Sequence, residues 1–268
     1  MNVDDISDRE FRQFQRFIYE AAGISLSPAK KALVSGRLAK RLHHYRLNTY
    51  GDYFALLASG ATPAEVQTAV DLLTTNETYF FREPKHFDLL AEQAAGGRGR
   101  TQPFRVWSAA SSSGEEAYSI AMVLADKLAD EQWEVLGSDI SLSVLRKACA
   151  AHYSLERAQH IPPAYLRRFC LKGMGAQEGT LLIENGLRGR VQFMQVNLTT
   201  PLPQLGTFDA VFLRNLLIYF DADIKRQVVG RVLSVLKPHG RLYVGHSETL
   251  NGVAEGMRLL APSVYRKE

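Results

Sequence analysis

The stretch FRVWSAASSSGEEAYSIAM, Phe104 to Met122, followed by VLGSD, Val135 to Asp139, decides the fold. Phe104 to Ala109 reads as a strand running into small residues and Gly114. From Gly114 the positions Ala117, Ile120, Ala121, Leu124 and Leu128 recur with helical period, and Val135 to Asp139 reads as the next strand. Strand, tight turn, helix and strand make a βαβ unit. Its first loop approaches a nucleotide-like ligand, and an acid ending its second strand bonds ribose hydroxyls. Asp139 holds that position. The loop Ala109-Ala110-Ser111-Ser112-Ser113-Gly114 has a single glycine, and Glu115 and Glu116 follow it, which argues against a pyrophosphate seated on bare backbone. An acid beside the loop suits a cofactor with an ammonium or sulfonium charge, as in S-adenosylmethionine. The same acids also complement the dipole of the helix they open.

Downstream, Phe208 to Asn215 reads as a buried strand ending in polar residues, where α/β sheets place ligands. Ile218-Tyr219-Phe220 then leads into a helix from about Asp221 to Lys237. Arg241 to Gly245 and Ser263 to Tyr265 suggest a last pair of strands. A Gly-punctuated segment holds two short strands, Thr180 to Ile183 and Arg190 to Phe193, expected to form a hairpin that interrupts the alternation.

Upstream the pattern is helical. Ser7 and Glu10 form a capping box, and Phe11, Phe14, Ile18 and Ala21 repeat at helical spacing until Gly23. Ser27-Pro28 starts a second helix with the apolar stripe Leu33, Val34, Leu38, Leu42 and Tyr45. Its other face carries Lys30, Arg37, Arg41 and His44 nearly in line, with Lys40 beside them and no acid between Lys30 and Arg46. That predicts a positive ridge for an anionic partner. Helices over Thr49 to Ala58 and from a second capping box, Thr62 with Glu65, to Leu73 complete a small bundle. A Gly-rich break follows at Gly96-Gly97-Arg98-Gly99. The expected fold is α/β, a Rossmann-like sheet with helices on both faces and a small β-hairpin insertion, preceded by an all-α N-terminal domain. The expected divisions are 1–75 helical, 76–97 linker and 98–268 catalytic, with the insertion near 172–194.

Of 268 residues, 46% are hydrophobic and 22% charged, enough for one large or two modest cores, and the net charge of +4 is too small to draw nucleic acid to the whole molecule. Cys149 and Cys170 lack metal or disulfide spacing and read as buried thiols. The N-terminus carries no basic-then-apolar signal and no long apolar run occurs, so a cytoplasmic location without membrane insertion is expected. Nothing in the pattern asks for a partner subunit, so a monomer is expected.

The strings TTNETYFFRE (Thr74 to Glu83), WSAASSSGEEAYSIAM (Trp107 to Met122), SDIS (Ser138 to Ser141), VNL (Val196 to Leu198), FLRNLLIYFD (Phe212 to Asp221) and LKPHGRLYVGHSE (Leu236 to Glu248) together resemble the CheR family, the chemotaxis receptor methyltransferases. The resemblance runs in order over nearly the whole chain. It implies a protein-glutamate O-methyltransferase that moves the methyl of S-adenosylmethionine to glutamates on the cytoplasmic helices of chemoreceptors, leaving S-adenosylhomocysteine, without a metal. By position it implies cofactor contacts at Asn76, Thr78, Arg82, Glu116, Asp139, Asn197, Leu198, Arg214 and Asn215, with Arg82 and Tyr219 nearest the transferred methyl. It assigns Arg37, Lys40, Arg41 and His44 to receptor docking, although Lys40 and His43 stand where better-known members have arginine. Gly173-Met174-Gly175 and Gly179, with Lys172, resemble a loop that grips a receptor C-terminal peptide in some members. Lys172, Leu182 and Glu184 replace arginines of those members.

The chemistry agrees with so sparse a list. A glutamate side chain is already ionised at neutral pH, so its attack on a sulfonium methyl needs alignment and removal of water rather than a general base. Two rival enzymes would use the same cofactor residues: a small-molecule methyltransferase with the bundle as a lid, and an RNA methyltransferase. The latter lacks exposed aromatics among the basic residues. A third reading is a non-catalytic receptor adaptor.

Overall fold

Ser7 Oγ accepts the Glu10 N–H at 3.3 Å and the Glu10 carboxylate accepts the Ser7 N–H at 2.8 Å, so helix α1 (Asp8–Ala22) opens on the expected capping box. It ends at Gly23, whose φ of 70° belongs to the left-handed region. The structure is a computed structural model that describes residues 5–96, 101–129 and 131–268. Gly97, Arg98 and Gly99 of the expected break, and the expected domain start at residue 98, lie outside the described residues.

Pro28–Lys30 forms a short 3-10 turn before α2 (Lys31–Tyr45), and α3 (Tyr50–Ala58) is capped by Thr49. The second capping box does not form. Thr62 caps nothing with its side chain, and Glu65 of α4 (Pro63–Leu73) turns into the bundle, 3% exposed. There it receives Arg41 at 2.7 and 2.6 Å, Tyr53 at 2.6 Å and Tyr45 at 3.1 Å. Burial pushes this carboxyl up, but those hydrogen bonds outweigh it and hold it below its ordinary value.

The irregular segment after α4 leads into α5 (Lys85–Ala95), a helix within the expected linker, then into β1 (Phe104–Ser108), α6 (Glu115–Leu128), β2 (Trp133–Asp139) and α7 (Leu142–Ala150). Next come β3 (His152–Ser154), α8 (Pro163–Phe169), β4 (Cys170–Lys172), β5 (Thr180–Ile183), α9 (Asn185–Arg188), β6 (Val191–Gln195), β7 (Phe208–Leu213), α10 (Ala222–Val235), β8 (Leu236–Val244), β9 (Met257–Ala261) and β10 (Val264–Lys267). The main sheet has seven strands in the order β6-β2-β1-β7-β8-β10-β9. The first five are parallel, and β10 runs antiparallel to both β8 and β9. Strand β7 is buried throughout, as a central parallel strand covered on both faces must be. Strand order reverses between β1 and β7, so the crevice of the doubly wound sheet opens above their carboxyl ends.

The expected hairpin is corrected. Thr180–Ile183 is the centre of a separate three-stranded antiparallel sheet, β3-β5-β4, so the insertion begins before residue 172. Val191–Gln195 instead pairs in parallel with β2, Val135 facing Val191, and forms the edge of the main sheet. A strand of five residues does not state its partner in its own alternation. The cysteine reading is corrected too: Cys149 is exposed and Cys170 only half-buried.

Two apolar cores flank the main sheet. One joins the bundle residues Phe14, Ile18, Val34, Leu38 and Leu42 to Trp107, Val211, Leu217 and α10 without a break. The other packs α5, α6 and the insertion against the opposite face. The bundle is therefore a layer of the catalytic structure, sharing its hydrophobic burial.

Candidate active site

At the crevice, a cleft of about 940 Å³, its open mouth included, is lined by all ten residues expected there: Asn76, Thr78, Arg82, Glu116, Asp139, Asn197, Leu198, Arg214, Asn215 and Tyr219. The wall also includes Ala22, Ile24, Thr74, Thr75, Phe87, Ser112, Ile140 and Phe220, whose mostly small or apolar side chains carry no chemical signal in the sequence.

The loop after β1 is shaped for its place. Gly114 has φ 96°, and a Cβ there would meet Ala148 Cβ and Tyr153 Oη at 2.9 Å, so this one glycine is required. Asp139, ending β2, accepts the N–H groups of Ser112 and Ser141, each at 3.0 Å, and burial raises its pKa above the ordinary value. Glu115 and Glu116, adjacent in α6, diverge. Glu115 is wholly buried and turned toward Ser113 and Arg157, whereas Glu116 faces the cleft. Ser108 donates to Glu116 at 2.7 Å and Arg214 pairs with it at 3.0 Å. Burial still outweighs both and raises the Glu116 pKa. Asp139 thus stands on the β2 flank of β1, and the Glu116–Arg214 pair on the β7 flank.

The Arg214 side chain, 1% exposed, also pairs with Glu83 at 3.1 Å and donates to the Arg82 carbonyl. Glu83, His86 and His246 bring ligand-type atoms within 4.8 Å of one another. The Glu83 oxygen that faces the histidines is the one paired with Arg214, whose fixed charge opposes a second cation there. Burial, with Arg214 next in effect, lowers the His86 pKa to about 4, so its ring is neutral at physiological pH.

Phe81, Glu83 and Asn215, in or beside the cleft wall, all adopt left-handed φ, between 54° and 58°, a costly conformation for non-glycine residues. Ser119 Oγ receives the Phe81 N–H at 3.0 Å, and the buried Glu248 receives the N–H groups of Asn215, Gly245 and Ile218 at 2.9, 2.6 and 3.2 Å. Glu248 therefore fixes the turn bearing Tyr219, a role that its place in the HSE string did not reveal. Asn197 lines the cleft and also braces it. Its amide donates to Ala21 O at 2.8 Å and accepts from Thr199, tying α1 to the cleft wall.

The segment from α4 to α5 crosses the cleft on side-chain donors. Arg37 donates to Leu73 O and Thr74 O, Ser112 to Asn76 O, Arg82 to Glu77 O, Arg157 to Thr78 O and Arg214 to Arg82 O. Two arginines of the basic ridge are also engaged within the molecule. Arg37 is spent on the segment and Arg41 on Glu65, an acid supplied by a neighbouring helix that the run from Lys30 to Arg46 could not display. Of the expected docking residues, Lys40 and His44 remain exposed. Lys172, Gly173, Gly175 and Gly179 lie apart from the cleft, on the turn between β4 and β5, whose Met174 is 84% exposed. Among the described residues, no helix is long and apolar enough to cross a membrane.

Comparison with known proteins gives two family matches. The family model described as CheR methyltransferase, SAM binding domain, matches residues 76–265, and that described as CheR methyltransferase, all-alpha domain, matches residues 9–74. A chemotaxis protein methyltransferase of Escherichia coli is 41% identical over 97% of this chain and 91% of its own length. Chemotaxis protein methyltransferase 2 of Pseudomonas aeruginosa is 39% identical over 96% and 92%. Among solved structures, an O-methyltransferase family protein from Burkholderia thailandensis matches with a TM-score of 0.38 and 19% identity, over 74% of this chain and 46% of that one.

Proposed function

The chain belongs to the CheR methyltransferase family, and from that premise we propose that it is a protein-glutamate O-methyltransferase acting in the cytoplasm on chemoreceptor helices. The observation that carries this reading is the cleft, where the residues expected to meet cofactor and nucleophile converge from five separate stretches of chain. Its donor set fits S-adenosylmethionine: a carboxylate at the end of β2 for ribose hydroxyls, a second on the β7 flank for the ammonium, and Ile140 and Leu198 as apolar wall between the polar groups. The bound cofactor supplies a methyl group on a positively charged sulfur.

The chain's own residues bind, orient and exclude water. Glu116, held by Ser108 and Arg214, keeps an acceptor toward the ammonium. Asp139 keeps an acceptor for a hydroxyl while its backbone partners fix its plane. Arg82 donates to Glu77 O at 3.1 Å and lies over the Tyr79 ring, which holds its guanidinium at the cleft wall and leaves donors to align a substrate carboxylate. Too strong a grip on that carboxylate would slow its attack, so orientation rather than tight pairing is the useful role. Tyr219, on a turn fixed by Glu248, lines the same cleft.

Lys40 and His44 support docking of an acidic receptor helix, and the turn bearing Lys172, Gly173, Gly175 and Gly179 supports a tether for a receptor C-terminal peptide. The test is transfer of labelled methyl from S-adenosylmethionine to purified chemoreceptor cytoplasmic fragments. Base-labile label released as methanol, and lost when the target glutamates become alanine, is the expected outcome. Cofactor binding without labelling of any receptor from the same cell would overturn the substrate assignment.

A further inference from the structure

The β insertion reaches the segment and the turn that form the cofactor cleft most directly through an arginine. Arg157 lies just after β3, in the turn before α8. Its Nη2 donates to Thr78 O at 3.0 Å and to Ser113 Oγ at 3.4 Å, and it is ion-paired with the wholly buried Glu115. One guanidinium thus joins three parts of the molecule: the insertion, the segment that lines the cleft, and the turn between β1 and α6. Neighbouring contacts reinforce the joint. Tyr153 donates to Ser113 O at 2.8 Å and packs edge-on against Phe80, and the rings of Tyr79 and His160 lie 4.7 Å apart.

We infer that Arg157 is a positioning residue for the cofactor seat, through which the insertion and the cleft sense one another. This rests on the cofactor reading given above. Thr78 and Ser112 line the cleft; Thr78 is attached to Arg157 by its own carbonyl, and Ser112, held directly by Asp139 and Asn76, adjoins Ser113, which the guanidinium also meets. Glu115 gives the arginine its fixed point. A fully buried carboxylate holds its partner firmly, because losing the partner leaves the charge uncompensated. The two carbonyl and hydroxyl contacts ride on that anchor. Anything that displaces the insertion must then either break this ion pair or carry Thr78 with it, and by linkage the effect is reciprocal: cofactor binding alters the insertion's readiness for its own ligand by the same factor.

The insertion also offers a matched control. Arg168, on α8, fastens it to α6 through Asp126 at 3.0 Å, away from the cleft lining. The experiment uses the full chain and S-adenosylhomocysteine as calorimetric probe, with thermal melting measured alongside. Arg157→Gln is expected to weaken binding about tenfold, the loss expected for hydrogen bonds from a charged donor, with Arg157→Lys recovering most of it. Arg168→Gln is expected to lower the melting temperature while leaving the affinity within about twofold, a change too small to mark a lost contact. Because Arg157→Gln strands Glu115, the double variant Arg157→Gln/Glu115→Gln removes the buried charge and preserves the fold, and it is expected to bind as weakly as the single variant. Unchanged affinity in the double variant, or an equal loss in Arg168→Gln, would overturn the inference. Failure of the unaltered chain to bind the probe would instead overturn the cofactor reading on which it stands.

Discussion

At the scale of the residue, Glu115 and Glu116 show how one step along a helix separates two roles. Successive residues on a helix point about 100° apart, so one acid faces the insertion and the other the cleft. Sequence could place an acid beside the loop, but it could not say which of the two would serve. Glu116 also yields a pH prediction. Its folded-state pKa lies above the unfolded value of 4.5, so protonation favours the folded, ligand-free chain. That stabilisation is complete below 4.5 and is lost as pH rises through the raised value. A cation bound at Glu116 requires the ionised form. Affinity for S-adenosylmethionine is therefore expected to fall on acidification, beginning above the range of an ordinary glutamate. Calorimetry across that range should show the fall, and Glu116→Gln should bind at least tenfold more weakly, the loss of a charge-assisted contact, with a flatter pH profile.

At the scale of the element, α7 adds to its own Ser141 cap a second one from another layer. Asp71 of α4 accepts the Leu142 and Ser143 N–H groups, each at 3.0 Å, and Gln67 reaches the Ile140 carbonyl at 3.1 Å. Asp71→Ala removes an acid from a helix N-terminus and is expected to cost about 1 kcal/mol. Because Ile140 lines the cleft, it should also raise the KM for the cofactor, and denaturant melts with steady-state kinetics check both effects. Helix α2 makes a contrasting prediction. Arg41→Ala strands the buried Glu65 and is expected to cost about 3 kcal/mol, whereas Lys40→Glu should leave the melting temperature almost unchanged and weaken receptor-fragment binding. Comparing melts with binding for the two variants separates folding from docking. The βαβ core was legible in sequence because helical period and apolar strands agree over β1, α6 and β2. Helix α5 was not read out, although Pro84 before it and Gly96 after it punctuate a helix in the usual way: no Ser, Thr, Asp or Asn caps its start, and it falls within the stretch expected as a linker. Strand β9 was missed because its side chains are mostly exposed and its pattern lacks alternation. Asp139, an acid beside the loop and the polar end of the Phe208–Asn215 strand were legible from the βαβ pattern, whereas Asn76, Thr78, Arg82 and Asn197 were legible only through the resemblance of whole strings, since nothing local to them marks a pocket.

At the scale of the whole molecule, the bundle and the sheet share one uninterrupted apolar core, and Ala22 and Ile24 belong to the cleft wall. A fragment of residues 76–268 would bare one face of its sheet and lose part of the cofactor seat. It is expected to self-associate and to bind S-adenosylhomocysteine far more weakly than the full chain, which light scattering and calorimetry would register. The cord across the cleft has a consequence of another kind. The carbonyl oxygens of Thr74, Asn76, Glu77 and Thr78 are held, but among the described residues the amides of Thr75 to Tyr79 donate to no group of the protein. Deuterium should enter those amides quickly even though the chain there is pinned, so a labelling experiment would mistake a taut segment for a slack one. Slower uptake in that window once a ligand settles would then report new bonds to the backbone, without any need for the segment to have moved.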